Sequence, residues 1–143
     1  MTRITLTIAG IHFNARLEET HAPKTCALFR SLLPYQSQVI HVRWSGEGVW
    51  IPWGDRHFEL PYEHATSHPA PGQMILYPGG VSECEFLLTY GPVSFASKAG
   101  PLAGNHFLTI TEGLDQLQVM GQTVLWQGAQ EFQARELQGD AFN

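Results

Sequence analysis

The stretch GGVSECEFLLTYG, residues 79–91, alternates like a β-strand yet carries two acids around a cysteine. Successive strand side chains point to opposite faces. Glu83 and Glu85 therefore share a face with Leu87 and Thr89, while Cys84, Phe86, Leu88 and Tyr90 form the core face. A second stretch, IHVRW at 40–44, places His41 and Arg43 on one face and Ile40, Val42 and Trp44 on the other. If these two strands are neighbours with faces aligned, His41, Arg43, Glu83 and Glu85 form one mixed cluster. Two acids spaced this way lie roughly 6.5–7 Å apart. Each perturbs the other, and a nearby Arg or His opposes that effect. Such a cluster suits general acid–base chemistry near neutral pH: a Glu or His41 moves protons and Arg43 orients an anionic group. The plainer reading has both acids covering the solvent side of the sheet, with Arg43 as a cross-strand partner of small energetic worth. Leu87 on the acids' face suggests that the face is at least partly covered. A buried carboxylate without a partner costs several kcal/mol, so the acids must be solvated or paired.

The loop PYEHATSHPAPG, residues 61–72, is the second candidate. Tyr62, Glu63, His64 and His68 fall close together there, and Glu63 is the candidate proton carrier. Aromatic residues supply a third element. Trp44, Trp50, Trp53, Tyr77, Tyr90 and Phe95 come from the central strands and their ends. Most are expected to be core. Tyr77, before a Pro-Gly-Gly turn, and Tyr90, before Gly91, sit where a phenol can line a pocket mouth. Asn105 lies at a loop–strand junction, where polar groups often face ligands. The expected substrate-binding set is thus Arg43, Trp44, Tyr77, Tyr90 and Asn105. The chain has 7 histidines but no HExxH or matched His/Cys ligand set, so no metal and no cofactor are expected. The Gly-rich turns lack the strand–loop–helix order and the Lys of a phosphate loop.

These side chains must be positioned by a small, mostly β protein. At 143 residues the chain is long enough for one domain with its own core. It carries 8 basic and 13 acidic residues and no basic run, which argues against nucleic acid as a partner. No apolar stretch approaches the ~20 residues of a membrane helix, and the N-terminus lacks a signal-peptide core. A cytoplasmic protein is expected, with Cys26 and Cys84 as buried thiols. The patterns ITLTIAG and IHFNARLEE predict a first hairpin, and SQVIHVRWSG and GVWIPWG a second, turning at Ser45–Gly48. Pro23 opens a helix whose face is Cys26, Phe29, Leu32 and Leu33, and Pro34 stops it. RHFELP, MILYP, HFLTIT, TVLWQG and QEFQARELQ read as further strands, and GLDQLQVMG as a short helix. Many short strands and one main helix mean a sandwich or barrel.

Together APKTC, IHVRWSGEGVWIPWG, HPAPGQMILYPGG, SECEFLLTYG and AGNHFLTITEGL resemble a bacterial family of cyclophilin-like proteins of unknown function, domain-of-unknown-function family thirty-eight-thirty. The resemblance runs through nearly the whole chain. It implies a closed, mostly antiparallel β-barrel over residues 1–143, flanked by the helix near 22–33 and a short one near 113–120. The family commonly has Asn after the residue matching Glu63, where this chain has His64, so Glu63 is the better carry-over. The prolyl-isomerase signature of true cyclophilins, a Phe-His-Arg strand and a Gln-Gly-Gly-Asp run, is missing, so no isomerase activity is expected. Related barrels occur in enzymes acting on small amides and ureas and in opine synthases that condense histidine with a keto acid. The expected function is therefore an enzyme or binding protein for an amide- or carboxylate-bearing metabolite. A non-catalytic subunit or interaction module is the alternative, residual isomerase activity the second, and homo-oligomerisation stays open.

Overall fold

In a computed structural model, residues 2–137 are described. The strands are β1 (Arg3–Ile8), β2 (Ile11–Leu17), β3 (Tyr35–His41), β4 (Gly46–Pro52), β5 (Ala65–Thr66), β6 (Gln73–Tyr77), β7 (Glu85–Val93), β8 (Ala96–Ser97), β9 (Gly100–Pro101), β10 (Gly104–Glu112) and β11 (Gln130–Glu136). The helices are α1 (Pro23–Leu32) and α2 (Leu117–Gln127), the second preceded by a 3-10 turn at Leu114–Gln116. Eight strands close into an antiparallel barrel in the order β2-β1-β11-β3-β4-β7-β6-β10, with β10 pairing back onto β2. Closure leaves no long strand edge exposed. Both expected hairpins form, as β1–β2 and β3–β4, but the second turns earlier than expected: β3 ends at His41, Ser45 and Gly46 both donate to the Val42 carbonyl, and Arg43 and Trp44 lie in the turn.

Inside the barrel lies the main core. Ile4, Leu6, Phe13, Phe86, Phe107 and Phe132 are all fully buried. Helix α1 adds Phe29, which packs edge-on to Phe86 and tilted against Phe107. Cys26 and Cys84 are free, buried thiols, and burial pushes them up to about 12 and about 11. Neither forms a reactive thiolate near neutral pH.

Strand β7 is buried on both faces. Its outer face is covered by the chain that follows it. Val93, Phe95 and Leu102 fold back over Leu87, Ile75, Tyr77 and Val42 as a second, smaller core, and the β8–β9 hairpin lies in the same segment.

Two element expectations are corrected. TVLWQG is not a strand: α2 runs unbroken through Gly121 to Gln127, so the second helix is as long as the first. Leu117, Met120, Gly121 and Val124 make its buried stripe, and this packing overrides the strand preference of Thr, Val and Trp. RHFELP is not a strand either. Phe58 donates its N–H to the Pro78 carbonyl, but no ladder continues from that bond. The last expected strand forms as Gln130–Glu136, and Gln138 of that expectation lies outside the described residues. Among the described residues no helix is long and apolar enough to cross a membrane.

Candidate functional site

The expected single cluster of His41, Arg43, Glu83 and Glu85 does not form. Strand β4 lies between β3 and β7. Directly paired residues share a face of a sheet, and the register is Ile40↔Trp50↔Leu87 and His41↔Val49↔Leu88. Glu85, two residues from Leu87, therefore lies on the face of Ile40 and Trp50. His41 lies on the opposite, inner face with Leu88 and Tyr90. Alternation gave each strand's faces correctly; only the register could relate one strand's faces to the other's.

The outer face holds the first assembly. Glu83, Glu85, Trp44 and Trp50 line a cavity of about 550 Å³, with Ser97 and Lys98 of the β8–β9 hairpin on its other side. Trp44 and Trp50 meet edge to face with ring centroids 5.4 Å apart. Glu85 is only 5% exposed. Its carboxyl has no hydrogen bond or ion pair to any described residue, and the carboxyl oxygens are not sealed off, so they meet the cavity. Burial, and then the neighbouring Glu83, push its carboxyl up to about 8. It is therefore mostly protonated at neutral pH, and a neutral carboxyl can donate a hydrogen bond. Glu83 is exposed at the rim. Tyr77 is buried beneath, and its phenol oxygen accepts from the N–H groups of Val81 at 3.0 Å and Ser82 at 3.2 Å. It fixes the turn that delivers Glu83 and Glu85.

The inner face holds the second assembly. His41 Nε2 and the Tyr90 hydroxyl are 2.6 Å apart, and both groups line a cleft with Arg43, Glu47 and Gln122 of α2. Burial, reinforced by Arg43, holds His41 below the usual histidine value, while burial and Glu47 raise Tyr90.

Glu63 and Asn105 belong to neither assembly. Helix α1 begins without a side-chain cap of its own, because Ala22 occupies the cap position. Glu63 supplies the missing acceptors from the loop. Its carboxylate accepts from the Thr25 N–H and hydroxyl, each at 2.7 Å, and from the Lys24 N–H at 3.3 Å. Asn105, fully buried, accepts from the Glu63 N–H at 3.1 Å and donates to the Thr25 hydroxyl and the Pro61 carbonyl. These bonds tie loop to helix and use the polar atoms that catalysis or ligand binding would need. Glu63→Ala is expected to cost about 1 kcal/mol, as for a lost helix cap, and to speed amide exchange in the first turn of α1. Unchanged exchange at Lys24 and Thr25 would contradict that role.

His64 adopts a left-handed backbone, φ 54°, and stacks between His21 and His106 with ring centroids 4.8 Å from each. Among the described residues, no group of three or more His, Cys, Asp and Glu side chains could hold a metal ion. Trp50, Lys98, Glu47 and Gln122 complete the two assemblies and were not singled out as site residues from sequence. From sequence Trp50 is one of the central aromatics, and nothing local marks the others.

A family model described as a protein of unknown function (DUF3830) matches residues 4–135. Among solved structures, McbB in complex with tryptophan is similar at a TM-score of 0.71 with 21% identity, over 96% of this chain and 46% of that one. The chain thus spans about half of McbB's length. The solution structure of the hypothetical protein AF2241 from Archaeoglobus fulgidus is similar at a TM-score of 0.62 with 14% identity, over 95% of both chains. At these identities the likeness establishes the barrel fold. No match was found among curated proteins.

Proposed function

The chain belongs to the DUF3830 family of proteins of unknown function, and from that premise we propose that its outer cavity binds a small planar metabolite bearing an amide or carboxylate. One observation carries the reading: Glu85 is buried and unpartnered beside a cavity walled by two tryptophans. A buried polar group without a partner is costly. A ligand that accepts the Glu85 proton in a hydrogen bond removes that cost, and Trp44 and Trp50 offer ring faces to its planar part. Lys98 at the rim favours an anionic substituent. If the bound molecule is turned over, Glu85 is the proton donor, since its carboxyl is held protonated where an ordinary glutamate is ionised. That a barrel of the same fold, McbB, binds tryptophan is consistent with a small planar ligand.

The test uses benzamide and tryptophan fluorescence. Binding is expected to quench Trp44 and Trp50 saturably and to weaken as pH rises through about 8, where Glu85 loses its proton. Glu85→Gln, which stays neutral, is expected to remove that pH dependence, and Trp50→Leu to weaken binding about tenfold. No saturable quench, or the same pH dependence in Glu85→Gln, would overturn the reading. The runner-up, an interaction module, draws on three apolar residues exposed around α2: Leu114, Val119 and Trp126.

A further inference from the structure

On the inner face, His41 Nδ1 is sealed from solvent and has no partner among the described residues. That orphan atom decides the tautomer. A proton on Nδ1 would leave a buried N–H donor unpaired, and orphaned buried N–H groups are rare. A proton on Nε2 lets the ring donate to the Tyr90 oxygen 2.6 Å away and leaves only a lone pair bare. The Tyr90 hydroxyl proton is then not spent on His41 and remains free to donate into the cleft that Tyr90 lines.

Other donors meet it there. Arg43 lines the same cleft, and its guanidinium has no hydrogen bond or ion pair with a described residue. Gln122 adds an amide from α2. Leu125 supplies an apolar wall, and the cavity volume is about 330 Å³. Glu47 is the counterweight. Its Oε1 accepts from Gln118 Nε2 at 3.4 Å, and it lies over Gly91, where a side chain would collide with it.

We propose that this cleft is a second ligand site, selective for the carboxylate of a small, singly charged metabolite. Arg43 takes the two carboxylate oxygens as a fork, Tyr90 and Gln122 donate to them from the side, and Leu125 covers the apolar body. Glu47 limits the charge the cleft accepts, so a dianion is disfavoured against a monoanion. The site shares no residue with the outer cavity and lies on the other face of the sheet. It stands or falls independently of the function proposed there.

Benzoate and inorganic phosphate are the probes, titrated at about pH 8, where phosphate is mostly the dianion, into ¹⁵N-labelled protein. With benzoate, the Gln122 side-chain amide and the His41 ring signals are expected to shift saturably. Arg43→Gln is expected to weaken benzoate by about tenfold or more, and Tyr90→Phe by about fivefold. Glu85→Gln is expected to leave it unchanged, and phosphate to bind more weakly than benzoate. Arg43 is exposed and Tyr90→Phe keeps the ring, so both variants are expected to fold. No saturable shift, shifts confined to Trp44 and Trp50, or benzoate affinity that survives Arg43→Gln would each overturn the site. Phosphate binding more tightly than benzoate would overturn its selectivity.

Discussion

Across pH 5 to 9 the wild-type protein is expected to lose stability relative to Glu85→Gln. The Glu85 carboxyl is pushed from its ordinary value of 4.5 up to about 8 in the folded state. A carboxyl raised in this way binds protons more tightly folded than unfolded. Its folded-state penalty is absent below about 4.5, grows as pH rises, and is complete above about 8. The gap sets a ceiling of about 5 kcal/mol, since each pH unit corresponds to about 1.4 kcal/mol. His41 and His106 act in the opposite sense. Burial, the largest cause for each, holds both below the ordinary histidine value, so they favour the fold as pH rises through 6.5. The difference between wild type and Glu85→Gln cancels them. Urea midpoints for both proteins over this range provide the measurement. Parallel curves would mean that Glu85 is hydrated like a surface acid, and the outer cavity would lose its proton donor.

Gly121→Ala is expected to destabilise the protein by about 1 kcal/mol, although it places a better helix former in the middle of α2. Propensity alone favours alanine by about 1 kcal/mol. Packing opposes it. A Cβ at Gly121 would collide with the carbons of the Tyr90 ring. That ring cannot easily retreat, because its hydroxyl is held at 2.6 Å by His41 and the residue is only 3% exposed. Overpacking of this kind costs about 1–3 kcal/mol and occasionally more. The collision term is therefore expected to exceed the propensity gain. Denaturant titration measures the sum, and the His41 ring signals report whether Tyr90 has moved. A variant more stable than wild type would show that α2 does not pack on Tyr90 as described. If Gly121→Ala fails to fold, Tyr90→Leu/Gly121→Ala, which removes the ring, is expected to recover folded protein.

Each strand's two faces were legible in the residue pattern alone. Side chains alternate with a period of two whatever the strand's neighbours, so Cys84, Phe86, Leu88 and Tyr90 had to be core, and Glu85 had to share a face with Leu87. Helix α1 was legible in the same way, because Pro23, the apolar spacing and Pro34 are all local signals. So was the mostly β character of the chain, because turn residues and short apolar runs recur along its length. Three of the expected ligand residues, Arg43, Trp44 and Tyr90, do line cavities.

Which faces meet depended on how the strands pair. Placing β4 between β3 and β7 separates the acids from His41 and Arg43, and turns one expected cluster into two. A register is a long-range property, fixed by pairing residues far apart in sequence, and no local pattern carries it. The same holds for Glu63 and Asn105, whose bonds reach Thr25 across 38 and 80 positions. It holds for α2, where Gly121 reads as a stop until the Tyr90 ring is seen to need the space. Burial of Glu85 is the sharpest case. Its type and spacing marked it for chemistry, but the residues that wall it in, Trp44, Trp50, Ser97 and Lys98, come from other parts of the chain, and burial is what holds its proton.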